Sequence, residues 1–292
     1  MMERIYFAAA PRSDELEALE QARPKHVLVS YALWKRKNLQ RDLIDRIGYT
    51  PDSVMLDSGA YTFHNLGVDT GIEDIVEMYG EDSYGIAANQ VLYDCYALDR
   101  YAGEDEEFAL PVFNQFVEFV HANAKHISRV ISLDTIGDSE LSKAAYYILE
   151  NIGLRPIPVF GYGDDWDTLD EYVGHGATYI ALGGSAHRTP RERVQWANEA
   201  GDRHPDVRFH LLGTMNDTII RATRQNVYSL DGTAWNATFK ARRYEGRTKV
   251  EQSVANIRRK QALVEPIRWR MGTGCTPTPM GKSRCLCNSN QQ

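Results

Sequence analysis

Val54-Met55-Leu56-Asp57-Ser58-Gly59-Ala60-Tyr61-Thr62-Phe63 runs three apolar residues straight into an aspartate, then into three residues with little side-chain bulk. An apolar run without polar alternation is what a parallel strand covered on both faces requires. A carboxylate where such a strand stops, followed by Ser-Gly-Ala, sets a charge beside cleared space. Asp-Ser-Gly is also a common turn sequence, so the stretch alone leaves both a site and a simple turn open.

The same pattern recurs along the chain. Candidate strands are residues 5–9, 26–30, 54–57, 129–134, 156–160, 178–183, 207–213 and 226–231. Helical segments separate them. A helix over 13–22 opens on Ser13 as its cap, and one over 111–126 carries an apolar stripe from Val112 to Val120. A helix over 138–151 stops before Gly153, and Thr189-Pro190-Arg191-Glu192 spells a capping box. A short helix is expected over 216–225. Eight strands alternating with helices predict an α/β fold, a (β/α)8 TIM barrel, over an open doubly wound sheet. No G-x-G-x-x-G follows a strand, so dinucleotide binding has no support. The expected organisation is a barrel over 1–245, a basic helical segment over 246–270, and a loose cysteine-containing tail over 271–292.

The chain has 292 residues, 43% hydrophobic and 25% charged, with net charge −7. No apolar run reaches the roughly 18–20 residues of a membrane span, and a cytoplasmic protein is expected. From Thr238 onward 12 Lys or Arg face 3 acids, a local +9 that leaves −16 on the preceding residues. Such asymmetry fits an acidic body with one basic face for a polyanion, and also a merely solvated basic helix. Cys95 reads as a lone reduced thiol. The eight histidines show no metal-binding spacing, and no G-x-S-x-G signals a nucleophilic serine.

At a barrel's mouth the C-terminal strand ends converge. Three of the candidate strands finish in Asp57, Asp134 and Asp231, and three finish in glycine: Gly161, Gly183-Gly184 and Gly213. Bare backbone lets a planar ligand approach. Two carboxylates facing one bond divide the work of glycosyl transfer, one attacking the anomeric carbon and one moving a proton. Each aspartate alone reads more readily as a cap or turn; three at equivalent positions favour a site.

"LDSGAYTF", "SLDTIG", "PVFGYG", "ALGGSA", "LLGTM" and "YSLDGTAW", spread over roughly residues 54–245, resemble the tRNA-guanine transglycosylase superfamily, most of all its phage-type branch, the DNA 7-deazaguanine transglycosylases. The resemblance implies a (β/α)8 barrel that exchanges guanine for a 7-deazaguanine such as preQ0 without breaking the sugar–phosphate chain. It implies Asp231 as the covalent nucleophile, Asp57 as general acid/base, and Asp134 as the reader of the base edge. Gly183 and Gly184 match the backbone pair against the base, and Ser58 and Gly59 the turn lining the pocket. Gly161 belongs to the same mouth, and Tyr61 and Tyr162 are expected as stacking walls. Lys240, Arg242, Arg243 and Arg247, with Arg258 and Arg259, are expected to hold phosphates of double-stranded DNA. No cofactor is required. The tRNA enzymes carry a zinc site, but here Cys275, Cys285 and Cys287 depart from that spacing and lack a following histidine, so zinc would need a fourth ligand from elsewhere. They also carry a glutamine that Phe160-Gly161-Tyr162 lacks. The same exchange on tRNA, a hydrolase that releases guanine, and a non-catalytic nucleic-acid-binding barrel are the competing expectations.

Overall fold

The computed structural model describes residues 2–79, 84–101, 111–236 and 248–264. All eight expected strands form: β1 Arg4–Ala9, β2 His26–Ser30, β3 Ser53–Asp57, β4 Arg129–Val130, β5 Val159–Gly161, β6 Tyr179–Gly183, β7 Arg208–Leu211 and β8 Ser229–Gly232. Every pairing is parallel, in the order β4-β3-β2-β1-β8-β7-β6-β5. The two ends of that order meet through a parallel bridge between Ile131 and Ile157. There Ile157 N donates to Val130 O at 2.7 Å, and Ser132 N to Ile157 O at 2.9 Å. The closure is thin for a chemical reason. Pro156 and Pro158 have no N–H, so around Ile157 only that residue can donate to the ladder. This shortens both β4 and β5 relative to the runs expected from sequence.

Among the described residues the α-helices are α1 Ser13–Ala22, α2 Tyr31–Trp34, α3 Asp45–Ile47, α4 Ala60–Leu66, α5 Ile72–Tyr79, α6 Tyr84–Tyr101, α7 Val112–Asn123, α8 Ser139–Asn151, α9 Trp166–Gly174, α10 Pro190–Arg203, α11 Asp217–Thr223 and α12 Lys249–Gln261. Four of them, α4 to α7, are inserted between β3 and β4. Asp138, Thr189 and Asn216 cap their helices through their side chains, and Thr189 with Glu192 closes the capping box. Ser13 does not cap α1; the capping position is Arg12, whose side chain makes no cap bond. Asp14 and Glu15 supply first-turn acids that favour the positive helix end instead.

Two apolar layers result from the strand pleat. Ile5, Phe7, Val27, Val29, Val54 and Leu56 face outward onto the helices, while Tyr6, Ala8, Leu28 and Met55 face inward with Ile131, Ile157, Val159 and Ala181. Continuing that period of two, Ser30 follows Leu28, Asp57 follows Met55, and Asp231 follows Ser229 on the inward face. The aspartates therefore enter the barrel because of their parity along the strand.

The basic helix expected after the barrel is α12, and it docks on the barrel wall. Val254 and Ile257 are buried, and its cations have partners within the chain. Lys249 pairs with Asp14, Arg258 donates to Gln21 O, and Arg259 and the buried Lys260 both meet Asp217. Lys260 also donates to Met215 O. Arg258 and Arg259, both exposed, thus take part in the docking of α12. Lys240, Arg242, Arg243 and Arg247 lie outside the described residues, as do Cys275, Cys285 and Cys287.

If this docking holds, replacing Lys260 with Met should cost about 1–3 kcal/mol, because it strips a buried carbonyl of its donor and Asp217 of one cation. Arg258→Ala, at an exposed position, should cost less than about 0.5 kcal/mol. Urea unfolding of both variants measures this; equal, negligible losses would mean α12 is not held as described.

Candidate functional site

The barrel mouth encloses a cavity of about 660 Å³. Its lining includes Asp57, Asp134 and Asp231, so the three aspartates from β3, the segment after β4, and β8 meet around one space. Ala8, Ala9 and Ala10 at the end of β1 leave that space open, and Gly59, Tyr61, Gly183, Gly184 and Gly213 also line it.

Asp57 is held by the β2–β3 register, which sets Ser30 beside it. The Ser30 hydroxyl and the Gly59 N–H both donate to its carboxylate. Gly59 is needed here on two counts. Its φ is +83°, and a Cβ would fall 2.5 Å from Ala32 Cβ and 2.9 Å from Ser30 Oγ. The Ser58-Gly59 turn after the strand therefore brings the Gly59 N–H to Asp57 while starting α4. Burial, followed by the charge of Asp231, pushes the Asp57 carboxyl up to about 6, against the two donors. Burial, followed by the charge of Asp57, pushes Asp134 up to about 7. Both line the cavity, so the partial exposure they retain opens toward it.

Asp231 is buried and accepts one hydrogen bond, with an imidazole nitrogen close by. Gly213 N donates to its Oδ1 at 2.9 Å, and His210 Nε2 lies 3.3 Å from the same oxygen. Behind it, the largely buried Arg193 donates to Leu212 O at 3.1 Å. Burial pushes the Arg193 guanidinium down, and the negative charge of Asp231 opposes that shift.

The rim is polar. Tyr61 OH stands 3.3 Å from His187 Nε2, and both residues line the cavity. Glu15, buried, accepts from Ala10 N at 2.7 Å and from Asn236 Nδ2 at 2.8 Å, tying the β1 and β8 loops together. Ser185 also lines the cavity, and its buried Oγ has no partner.

Three expected site residues are placed elsewhere. Ser58 is fully buried outside the cavity lining, with its hydroxyl unpartnered. Gly161 donates its N–H to Asp164 at 2.7 Å and does not line the cavity. Tyr162 is not a cavity wall either; it packs on Trp196 at 5.2 Å, with Arg188 4.6 Å over its ring. The glycines also have packing reasons of their own. A Cβ on Gly183 would meet Val159 Cγ1 at 2.8 Å, and Gly184 has φ +69°. Sequence reasoning missed Ser30, His210 and Arg193, because each acts on an aspartate from a neighbouring strand or helix. Among the described residues no group of three side chains has a metal-binding arrangement, and no helix is long and apolar enough to cross a membrane.

No protein-family description matches the chain, and no curated protein does. Solved structures similar to it include the YdjI aldolase from Escherichia coli K12, at 12% identity over 90% of this chain and 89% of that one, TM-score 0.47. Another is the tryptophan synthase alpha chain of Legionella pneumophila subsp. pneumophila, at 12% identity over 92% and 94%, TM-score 0.46. A third, a native KDPGal structure, shares 11% identity over 90% and 98%, TM-score 0.43. The barrel rests on the strand pairing, and these likenesses assign no activity.

Two outcomes are expected of the site. Gly59→Ala should destabilise the chain by about 2–4 kcal/mol, from the left-handed backbone and the contact with Ala32 together, as read by urea unfolding. A neutral effect would mean the turn is built differently. Asp57 and Asp134 both titrate above their unfolded value. Their contribution to stability is therefore fully present below about pH 4 and lost as pH rises through 6 and 7. Asp57→Asn and Asp134→Asn should each match the parent near pH 4 and exceed it at about pH 8 by roughly 1–2 kcal/mol, less than the full shift because cavity water screens the charge. A difference that does not change with pH would exclude raised carboxyl groups.

Proposed function

We propose that the chain is a glycosyl-transferring enzyme that exchanges guanine in DNA for a free 7-deazaguanine base through a covalent aspartyl-sugar intermediate. The observation that carries this reading is the unequal environment of three aspartates around one cavity of nucleoside size. Asp231 accepts from the Gly213 N–H, has His210 Nε2 3.3 Å from the same oxygen, and suits the group that attacks. Asp57, pushed up to about 6, suits a group that passes a proton near neutral pH. Asp134 lies near enough for the charge of Asp57 to act on it, and suits the N–H-rich edge of a guanine-like ring.

In the first half-reaction an Asp231 oxygen forms a bond to C1′ of the target nucleotide, and the C1′–N9 bond breaks. Its electron pair stays with the departing guanine, which takes a proton from Asp57. The incoming base then gives its proton to Asp57 and its ring nitrogen attacks C1′, releasing Asp231. Two displacements retain the sugar configuration. No redox partner or nucleoside triphosphate enters the balance. In duplex DNA the target base must first leave the stack, at a cost of a few kcal/mol. The resemblance in the strand-end motifs supports the same reading.

The test is to incubate the purified chain with labelled duplex DNA, with tRNA, and with preQ0, then digest and weigh the nucleosides. Deazaguanosine should appear in DNA, and Asp231→Asn should abolish both exchange and the covalent DNA adduct. Exchange in tRNA alone would move the substrate to RNA. Free guanine with abasic sites would make the chain a hydrolase. Salt-sensitive binding unaffected by loss of Asp57 or Asp231 would reduce it to a binding barrel.

A further inference from the structure

Behind Asp231 runs a buried polar column that the exchange chemistry above does not use. On β8 the inward positions are Ser229 and, two residues on, Asp231. On β7 His210 stands in register with Ser229. Tyr179 OH lies 2.5 Å from Ser229 Oγ, and Ser229 Oγ lies 2.7 Å from His210 Nδ1. The opposite ring nitrogen, Nε2, has no hydrogen-bond partner of good geometry, and it lies 3.3 Å from Asp231 Oδ1. The imidazole is fully buried, with the rings of Tyr6 and Tyr179 packed edge-on to it at centroid distances of 5.7 and 6.4 Å. It is therefore held in orientation from its sides as well as from Nδ1.

The positions of the protons follow from which arrangement wastes none. A neutral imidazole carries one N–H. On Nδ1 it would leave the Nε2 lone pair facing a carboxylate lone pair in a dry interior, a repulsion with nothing to offset it. On Nε2 it faces the carboxylate. Ser229 then donates its hydroxyl proton to Nδ1 and accepts from Tyr179. Each proton in the column is used once, and all point toward Asp231. Contacts of this type are often long in an unliganded site and shorten when substrate arrives.

We propose that His210 is the positioning residue of the Asp231 nucleophile. As the Nε2–H tautomer set by Ser229 and Tyr179, it fixes Asp231 Oδ1. Gly213 N–H and His210 then both bind the same oxygen, and Oδ2 is left to attack. His210 keeps its proton throughout. When Oδ2 bonds to C1′, Oδ1 becomes an ester carbonyl and its hydrogen bonds weaken; when the base returns and the ester C1′–O bond breaks, they strengthen. The same contact therefore orients the attack and improves aspartate as a leaving group. The kinetic part of this inference rests on the base-exchange reading; the hydrogen bond and tautomer do not.

Two measurements on the full chain keep those parts separate. Imidazole 15N NMR should show His210 protonated on Nε2 and bare on Nδ1, with the Nε2 signal shifting in Asp231→Asn. The opposite tautomer, or an Nε2 signal indifferent to Asp231, overturns the proposal. In single-turnover exchange with preQ0, His210→Phe should slow the covalent step about 10- to 100-fold while KM for the free base stays within about twofold, and His210→Gln, which can restore an N–H donor, should recover most of the loss. A full rate in His210→Phe overturns the positioning role. Should the parent show no exchange on any substrate, it is the base-exchange reading that fails, and the NMR result still decides the bond.

Discussion

Charges of one sign brought into a single low-dielectric cavity raise each other's cost, and the barrel brings three carboxyl groups to one mouth. Asp57 sits between the other two in this respect: the charge of Asp231 acts on it, and its own acts on Asp134. The supporting contacts are distributed unequally. Asp231 has the Gly213 N–H, the His210 ring and the field of Arg193. Asp57 has the Ser30 hydroxyl and the Gly59 N–H, and still stands well above an ordinary aspartate. Unequal solvation of like groups is what separates an acid from a nucleophile when both are the same residue type.

That distribution depends on pleat parity. Asp57 shares a face with Met55 and Asp231 with Ser229, so a one-residue slip of either strand would turn its carboxylate outward into the apolar layer beneath the helices. The interior below the mouth is also divided. Around β1 to β6 it is filled mainly by Tyr6, Ala8, Leu28, Met55, Ile131, Ile157, Val159 and Ala181. On β7 and β8 the inward positions are His210 and Ser229, joined to Tyr179. A polar column inside a barrel is tolerable only when its members satisfy one another and one end reaches a charge. Here the charge is Asp231.

Much of the architecture was legible because it is written in local chemistry. Eight apolar runs became eight strands, and Asp138, Thr189 and Asn216 capped where their side chains could reach free N–H groups. The three aspartates converged because strand ends in a parallel barrel have no other place to go. What stayed hidden depends on neighbours far away in the chain. Ser30 is recognisable as a partner of Asp57 only once the β2–β3 register is known. His210 carries no motif; its meaning comes from Ser229 and Asp231 on the adjacent strand. Ser58, one residue past the inward Asp57, is buried outside the cavity lining. The contacts of Gly161 and Tyr162 with Asp164, Trp196 and Arg188 were likewise not readable from their own motif.

The charge asymmetry has a similar lesson. From sequence, the basic C-terminal region beside an acidic body reads as a surface for a polyanion. Four of its cations lie in α12: Lys249, Arg258, Arg259 and Lys260. All four have partners within the chain, and two acids of the body, Asp14 and Asp217, accept three of them. Opposite net charges on two parts of one chain attract whether or not a nucleic acid is present, and here part of that attraction fastens the helix beside α1. Lys260 shows how far this goes, since a buried ammonium bound to Met215 O and Asp217 cannot also face a phosphate. Of the four, Lys260 alone is buried, and the other three keep part of their surface exposed. The proposed chemistry asks little of phosphate contacts, because its specificity would come from a single extruded nucleotide meeting three unequal carboxyl groups.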